Sequence, residues 1–135
     1  MIIYKDTIEN IVLDQLHGFF VGWPNPPSPE THLRILKQSS YMVIAIDNET
    51  GNVVGFINAV SDNIMSAYIP LLEVLPEYQK RGIGKELVKR VLDKFKDLYM
   101  LDLCCDTDKQ PFYEKLGLTK MTGMYIRNFD RQACE

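Results

Sequence analysis

The chain has 135 residues, 46% hydrophobic and 24% charged, with a formal net charge of −3. This length suits a single domain, expected to span residues 1–135 and to bury a real core, and the mild acidity gives no electrostatic reason to expect a nucleic acid or an anionic membrane as partner. No apolar run approaches the ~20 residues needed to span a bilayer, and Met1–Asp6 lacks a signal-peptide pattern. Three cysteines, two of them adjacent at Cys104 and Cys105, suit a reduced cytoplasmic protein better than a disulfide scaffold.

In chain order, Ile2–Tyr4 reads as a short first strand. Asp6 and Glu9 are spaced as a capping pair, and Ile8, Ile11, Val12, Leu16 and Phe19 form a stripe that predicts a helix. Gly22-Trp23-Pro24-Asn25-Pro26-Pro27 lacks the donors a helix or central strand needs and predicts a stiff loop. Ser28 before Pro29 is a cap and first-turn pair for a helix reaching about Gln38. Tyr41–Ile46, Val53–Val60 and Ile64–Val74 read as three strands of an antiparallel meander, because the connections between them are short. Pro70 lies inside the third run and predicts an irregular or unpaired position there.

The clearest helix begins near Gly82. Ile83, Leu87, Val88, Val91, Leu92 and Phe95 make its apolar face, opposite a face of lysine, arginine and acidic residues. Tyr99–Cys105 reads as a buried strand, in which neighbouring Cys104 and Cys105 point to opposite faces and share neither a bridge nor a metal. Asp108–Leu116 reads as a short helix stopped by Gly117, and Met124–Asn128 as a last strand before the polar tail Asp130–Glu135. These elements predict an α+β sandwich with a mixed sheet.

Between the third strand and the long helix lies Leu75-Pro76-Glu77-Tyr78-Gln79-Lys80-Arg81-Gly82-Ile83-Gly84. Glycines without Cβ atoms admit a ligand close to the main chain. The first N–H groups of a helix lack internal partners and sit at the positive end of its dipole, which suits phosphate oxygens. Lys80, Arg81 and Lys85 add positive charge, so the segment describes a pyrophosphate site; the bland reading of the same letters is a tight strand-to-helix turn with solvated basic residues. A Walker loop is excluded because Glu86 follows Lys85. A dinucleotide fingerprint is excluded because Leu87 stands where its third glycine belongs.

The run Leu72-Glu73-Val74-Leu75-Pro76-Glu77-Tyr78-Gln79-Lys80-Arg81-Gly82-Ile83-Gly84-Lys85-Glu86-Leu87, with Phe112-Tyr113-Glu114-Lys115-Leu116-Gly117-Leu118 downstream, resembles the GNAT superfamily of N-acyltransferases. It matches that family's strand and Gln/Arg-x-x-Gly-x-Gly loop, and its Tyr-x-x-x-Gly-Phe segment. The likeness covers about Tyr41 to Leu118, and the first forty residues in element order alone. The fold it implies is an α/β/α sandwich around a mixed, mostly antiparallel sheet of six to seven strands.

The resemblance also implies acetyl-CoA as cosubstrate, with no metal. It implies that the main chain of Leu72 and Val74 meets the pantetheine arm, and that Gln79, Lys80, Arg81, Gly82, Ile83, Gly84 and Lys85 grip the pyrophosphate. Tyr113 takes the place of the tyrosine that protonates the departing thiolate. Asp106 stands where the family commonly has a cofactor-binding asparagine, and an ionised Asp cannot donate a hydrogen bond. Lys109 likewise replaces a residue that is usually small. The implied activity is transfer of an acyl group, in the first place acetyl, to a primary amine of a small molecule or peptide by direct attack in a ternary complex. A homodimer is a further implication, since small domains of this family often pair.

Several roles have competitors. Tyr113 reads as general acid or as an aromatic anchor. Glu73, a lone acid in an apolar stretch, reads as general base or as a strand residue facing solvent. Asp102 is a second candidate base, Tyr68 lines the acceptor side or fills the core, and Trp23 walls the acceptor side or caps the core. His17 and His32 lack metal-ligand neighbours and read as structural. Two other functions stand beside the enzyme: an acyl-CoA-binding sensor on the same fold that has lost transfer activity, and a nucleotide-binding regulator.

Overall fold

Val53–Ser61 (β3) is the strand on which the fold is assembled, buried along its first seven residues. It forms in a computed structural model that describes residues 1–135. One edge of β3 pairs antiparallel with Tyr41–Asp47 (β2), which pairs antiparallel with Ile2–Lys5 (β1). The other edge carries two short strands, Ser66–Ile69 (β4) and Leu72–Val74 (β5), each antiparallel to β3. Met100–Leu103 (β6) joins the outer edge of β4 in parallel. The result is the expected mixed, mostly antiparallel sheet, with six strands.

β4 and β5 are the single run read from the sequence, divided at Pro70. The proline has no N–H to give to the ladder, and a buried amide repairs the gap. The Asn58 Oδ1 accepts the Leu71 N–H at 3.1 Å, and the Asn58 N–H donates to the Leu71 carbonyl at 3.2 Å. Its Nδ2 donates to Ser39 Oγ at 3.1 Å, so a side chain only 3% exposed is satisfied on both ends. Beyond the break β5 continues along β3 while β4 continues along β6, and the sheet forks.

Helices cover both faces. Pro29–Gln38 (α1) starts where the sequence placed it, with Ser28 Oγ accepting the Thr31 N–H at 3.2 Å. Ile83–Lys94 (α2) buries Ile83, Leu87, Val88 and Val91 against Val43, Ala45 and Ile57. Each such side chain contributes about 1.5–3 kcal/mol by leaving water. Gln110–Glu114 (α3) follows a 3-10 turn at Thr107–Lys109, and Gly117 at φ +99° closes its end. No helix is long and apolar enough to cross a membrane.

Three expectations fail. Residues 8–19 form no α-helix, only a 3-10 turn at Leu13–Gln15. Asn10, Gly18 and Phe20 all sit at positive φ, and the Thr7 hydroxyl takes the Glu9 N–H that a helix would leave for its cap. The apolar stripe is real but drapes the core: Leu16 and Phe20 are buried, with Ile8, Ile11 and Phe19 packed on them. Tyr99–Cys105 is not a buried strand either. β6 has one neighbour, Tyr99 is 86% exposed, and Cys104 and Cys105 lie exposed beyond the strand end. Met124–Asn128 makes no strand, because residues 119–127 form no main-chain hydrogen bond with any neighbour.

His32, read as structural, is 1% exposed inside an aromatic cluster. Its ring lies 5.3 Å from Phe19, 4.9 Å from Phe20 and 4.3 Å from Phe56, edge-on in each case. Nε2 has no partner, and burial depresses the pKa to about 4. The unfolded chain therefore takes up a proton near pH 6.5 that the folded one refuses until about pH 4, so this contribution to stability is full above pH 6.5 and is lost as pH falls. In urea titrations at about pH 7.5 and pH 4.5, the protein should lose about 2–3 kcal/mol more than His32→Phe does over the same interval; equal losses would exclude the histidine as the cause.

Candidate active site

The outer edge of β5 is unpaired. Leu71 C=O and Leu75 N–H both bond to β3, so the two-residue alternation of an antiparallel strand turns the main-chain groups of Leu72 and Val74 outward. The fork leaves space between that edge and β6, because β6 follows β4. One outward group already has a partner: Gln79 Nε2 donates to the Val74 carbonyl at 2.9 Å.

A short 3-10 turn, Pro76–Tyr78, leads from β5 into the glycine loop. Lys80 at φ +64° and Gly82 at φ +81° alternate with residues of ordinary backbone sign. This arrangement makes a concave run of amides suited to an anion. None of the N–H groups from Lys80 to Lys85 has an acceptor in the protein, and the helical ladder starts only with Glu86 N–H to Gly82 C=O at 3.1 Å. Lys80 and Lys85 are exposed beside these amides. Arg81 is directed elsewhere, over the Tyr78 ring at 4.9 Å and onto the Glu77 carbonyl at 3.1 Å. The Tyr78 hydroxyl donates to Asp47 Oδ2 at 2.6 Å, tying the loop to the end of β2. That bond, ahead of the Glu49 N–H, holds the Asp47 carboxyl below the usual carboxylate range.

The two glycines serve different needs. Gly82 adopts a left-handed conformation that side chains rarely take, although nothing crowds it. A Cβ on Gly84 would make ordinary contacts, 3.7 Å to Phe112 and 3.8 Å to Val74, so packing does not require glycine there.

Tyr113 lies on α3, half-buried and packed against the core that α2 covers. Burial first and the neighbouring Cys105 sulfur second push its hydroxyl up to about 12, so it keeps its proton at neutral pH. Asp106 is exposed at the start of the preceding 3-10 turn, and its side chain caps nothing. Asp102 is exposed on β6, paired in register with Tyr68. The Tyr68 hydroxyl contacts Cys104, which, with burial, raises its pKa.

Beside β5 a cleft of about 360 Å³ opens between the strand and the loop after residue 19. Glu73 points into this region and not to open solvent. Its Oε1 accepts the Phe20 N–H at 2.8 Å and its Oε2 the Val21 N–H at 3.3 Å. Trp23 lines the cleft with its ring 4.9 Å from that of Phe20, and Asn25 N–H is anchored by Gln132 Oε1 at 2.8 Å. Leu72, Glu73, Val74 and Gln79 line this one space; Tyr113, on α3, is not among its lining residues. Phe20 and Val21 at the cleft, and Gln132 behind Asn25, carry no signal of their own in the sequence. The polarity of Glu73 in an apolar run and the stiff loop at Trp23 were the signals that pointed there.

The sequence profile of the Acetyltransferase (GNAT) family matches residues 8–118. The chain belongs to the GNAT family. This GNAT enzyme is 50% identical to an acetyltransferase assigned in Deinococcus radiodurans R1, with a TM-score of 0.95 over 98% of this chain and 92% of the other. It is 31% identical to the uncharacterized N-acetyltransferase ycf52 of Pyropia yezoensis, over 87% of this chain and 71% of that one. The fold alone extends to the aminoglycoside N-acetyltransferase AAC(6')-Iy in complex with CoA. That protein is 15% identical with a TM-score of 0.68, covering 95% of this chain and 94% of its own. Acetyl transfer from acetyl-CoA is the reaction of the family.

Gly84→Ala should keep or raise the melting temperature, since Ala favours a helix over Gly by about 1 kcal/mol. It should also weaken acetyl-CoA binding roughly tenfold, about 1.4 kcal/mol, by putting a methyl among the free amides. Gly82→Ala should cost about 1–2 kcal/mol of stability even without ligand. Thermal unfolding of both variants with and without acetyl-CoA separates the two effects.

Proposed function

We propose that this GNAT enzyme transfers acetyl from acetyl-CoA to the primary amine of a small molecule or peptide by direct attack in a ternary complex. The observation that carries this reading is the open β5 edge lying directly before a helix N-terminus whose amides, from Lys80 to Lys85, have no partners. An elongated ligand with an amide-bearing arm and a pyrophosphate complements both ends. In the proposed pose Leu72 and Val74 receive the pantetheine arm, and Gln79, Lys80, Gly82, Ile83, Gly84 and Lys85 receive the pyrophosphate. Arg81 joins them after leaving Tyr78, and Asp106 meets the cofactor through water.

Holding amine and thioester together supplies as much as ~7–11 kcal/mol towards the barrier. The amine must lose a proton before it attacks, and Glu73 in the cleft is the proposed acceptor of that proton. Its two hydrogen bonds to main-chain N–H groups also fix its orientation. Attack forms the C–N bond, the C–S bond breaks, and the CoA thiolate leaves. Tyr113, still protonated at neutral pH, is the proposed donor to that thiolate.

A covalent route through Cys105 is not favoured, because burial, ahead of Asp106 and Cys104, raises its pKa and holds it as the less reactive thiol. Tyr113→Phe should lower kcat at least tenfold while the KM for acetyl-CoA stays within about twofold, since a positioned general acid contributes roughly 10²–10⁴. Free-thiol release over an acetyl-CoA titration measures both quantities, and unchanged kcat would remove Tyr113 from the mechanism.

A further inference from the structure

The acceptor cleft carries one ionisable group. Of its ten lining residues seven are hydrophobic, and Glu73 is the sole charge. That carboxylate is fixed by Phe20 and Val21 N–H groups, one on each oxygen, and each oxygen keeps a free acceptor position. No cation lines the space, so an acceptor bearing a phosphate or carboxylate would bring its charge beside Glu73 with no countercharge among the lining residues. A polycation would satisfy one ammonium at Glu73 and leave the others against apolar side chains without partners.

The walls complement the other half of a ligand. Phe20 is 5% exposed and held edge-on against His32 and 6.1 Å from Phe56, so it is a rigid surface. Trp23 stands beside it with 39% of its surface open, and Leu71 completes an apolar slot. The wall is pre-assembled, because Glu73 holds one end of the loop and Gln132 holds Asn25 further along. At about 360 Å³ the cleft is at the small end of the range of roughly 300–1,000 Å³ for ligand sites, and the acetyl group must share it.

We propose that the acceptor is a small primary monoamine with an apolar, ring-sized body, an aralkylamine or compact alkylamine. Its ammonium meets Glu73 and its body lies against Trp23 and Phe20. This proposal rests on the acetyltransferase reading and narrows it. The ammonium R–NH₃⁺ gives one proton to Glu73, and the freed lone pair attacks the thioester carbon. As C–N forms and C–S breaks, the thiolate takes a proton to become CoASH. The nitrogen loses its second proton, and the products are R–NH–acetyl, CoASH and one net proton released.

The test is thiol release from acetyl-CoA with 2-phenylethylamine and hexylamine against glucosamine 6-phosphate, spermidine, an aminoglycoside and a lysine-containing peptide. Acetyl-CoA binding is followed separately by thermal shift. The apolar monoamines should exceed every other acceptor at least tenfold in kcat/KM. Trp23→Ala should raise the KM for 2-phenylethylamine about tenfold without moving the KM for acetyl-CoA. A preferred phosphorylated, polycationic or peptide acceptor, an unmoved amine KM in Trp23→Ala, or bound acetyl-CoA with no turnover of either apolar monoamine overturns the inference and leaves acyl-CoA binding intact. Absence of any acetyl-CoA shift overturns the acetyltransferase reading beneath it.

Discussion

The divergence of β4 from β5 at Pro70 is the constraint on which the site depends. An uninterrupted strand would pair along its whole outer edge with β6, and no main-chain group would be left for a ligand. Proline removes the donor that would continue the ladder, and Asn58 holds Leu71 past the break with its side-chain oxygen and its own main-chain N–H. The gap is thus stable without being closed. Ser39, at the end of α1, holds the other end of the same amide, so the helix on one face takes part in keeping the fork open.

Two cores meet at this fork. On one face α2 buries its stripe against β2 and β3, and the first residues of α2 carry the free amides. On the other, the N-terminal segment and α1 bury Leu16, Phe20, Leu36 and Phe56, and Phe20 continues as the wall of the cleft. Neither the anion-binding end nor the acceptor end is an appendage on a finished scaffold. Each is the exposed margin of a packed cluster, which fixes both ends relative to β5.

Legibility in the sequence followed how local each signal was. Ser28-Pro29, the α2 stripe, Gly117 and the irregularity at Pro70 act within a turn of the chain, and each was readable. The stripe from Ile8 to Phe19 misled, because helical spacing describes which side chains face a core without requiring helical hydrogen bonds. Asn10, Gly18 and Phe20 at positive φ decide against the helix. Within Tyr99–Cys105 only Met100–Leu103 pairs, at the exposed edge of the sheet, and Met124–Asn128 pairs with nothing, because strand-like letters make a strand only where a neighbour's edge is offered. The cleft itself was the least legible part, since it joins Glu73 to residues about fifty positions earlier and Asn25 to Gln132, more than a hundred positions later.

The Gln79 amide on the Val74 carbonyl gives binding at β5 a particular thermodynamic character. In the proposed pose an incoming pantetheine amide exchanges places with a protein amide already present, and the number of hydrogen bonds at that carbonyl does not change. An exchange of this kind is close to neutral in free energy, so this contact sets the depth and angle of the arm and contributes little to holding it. Retention of the ligand then depends on the charged end, and the enzyme should release CoA more readily as ionic strength rises. The departing arm leaves the open edge with its substitute donor ready to return.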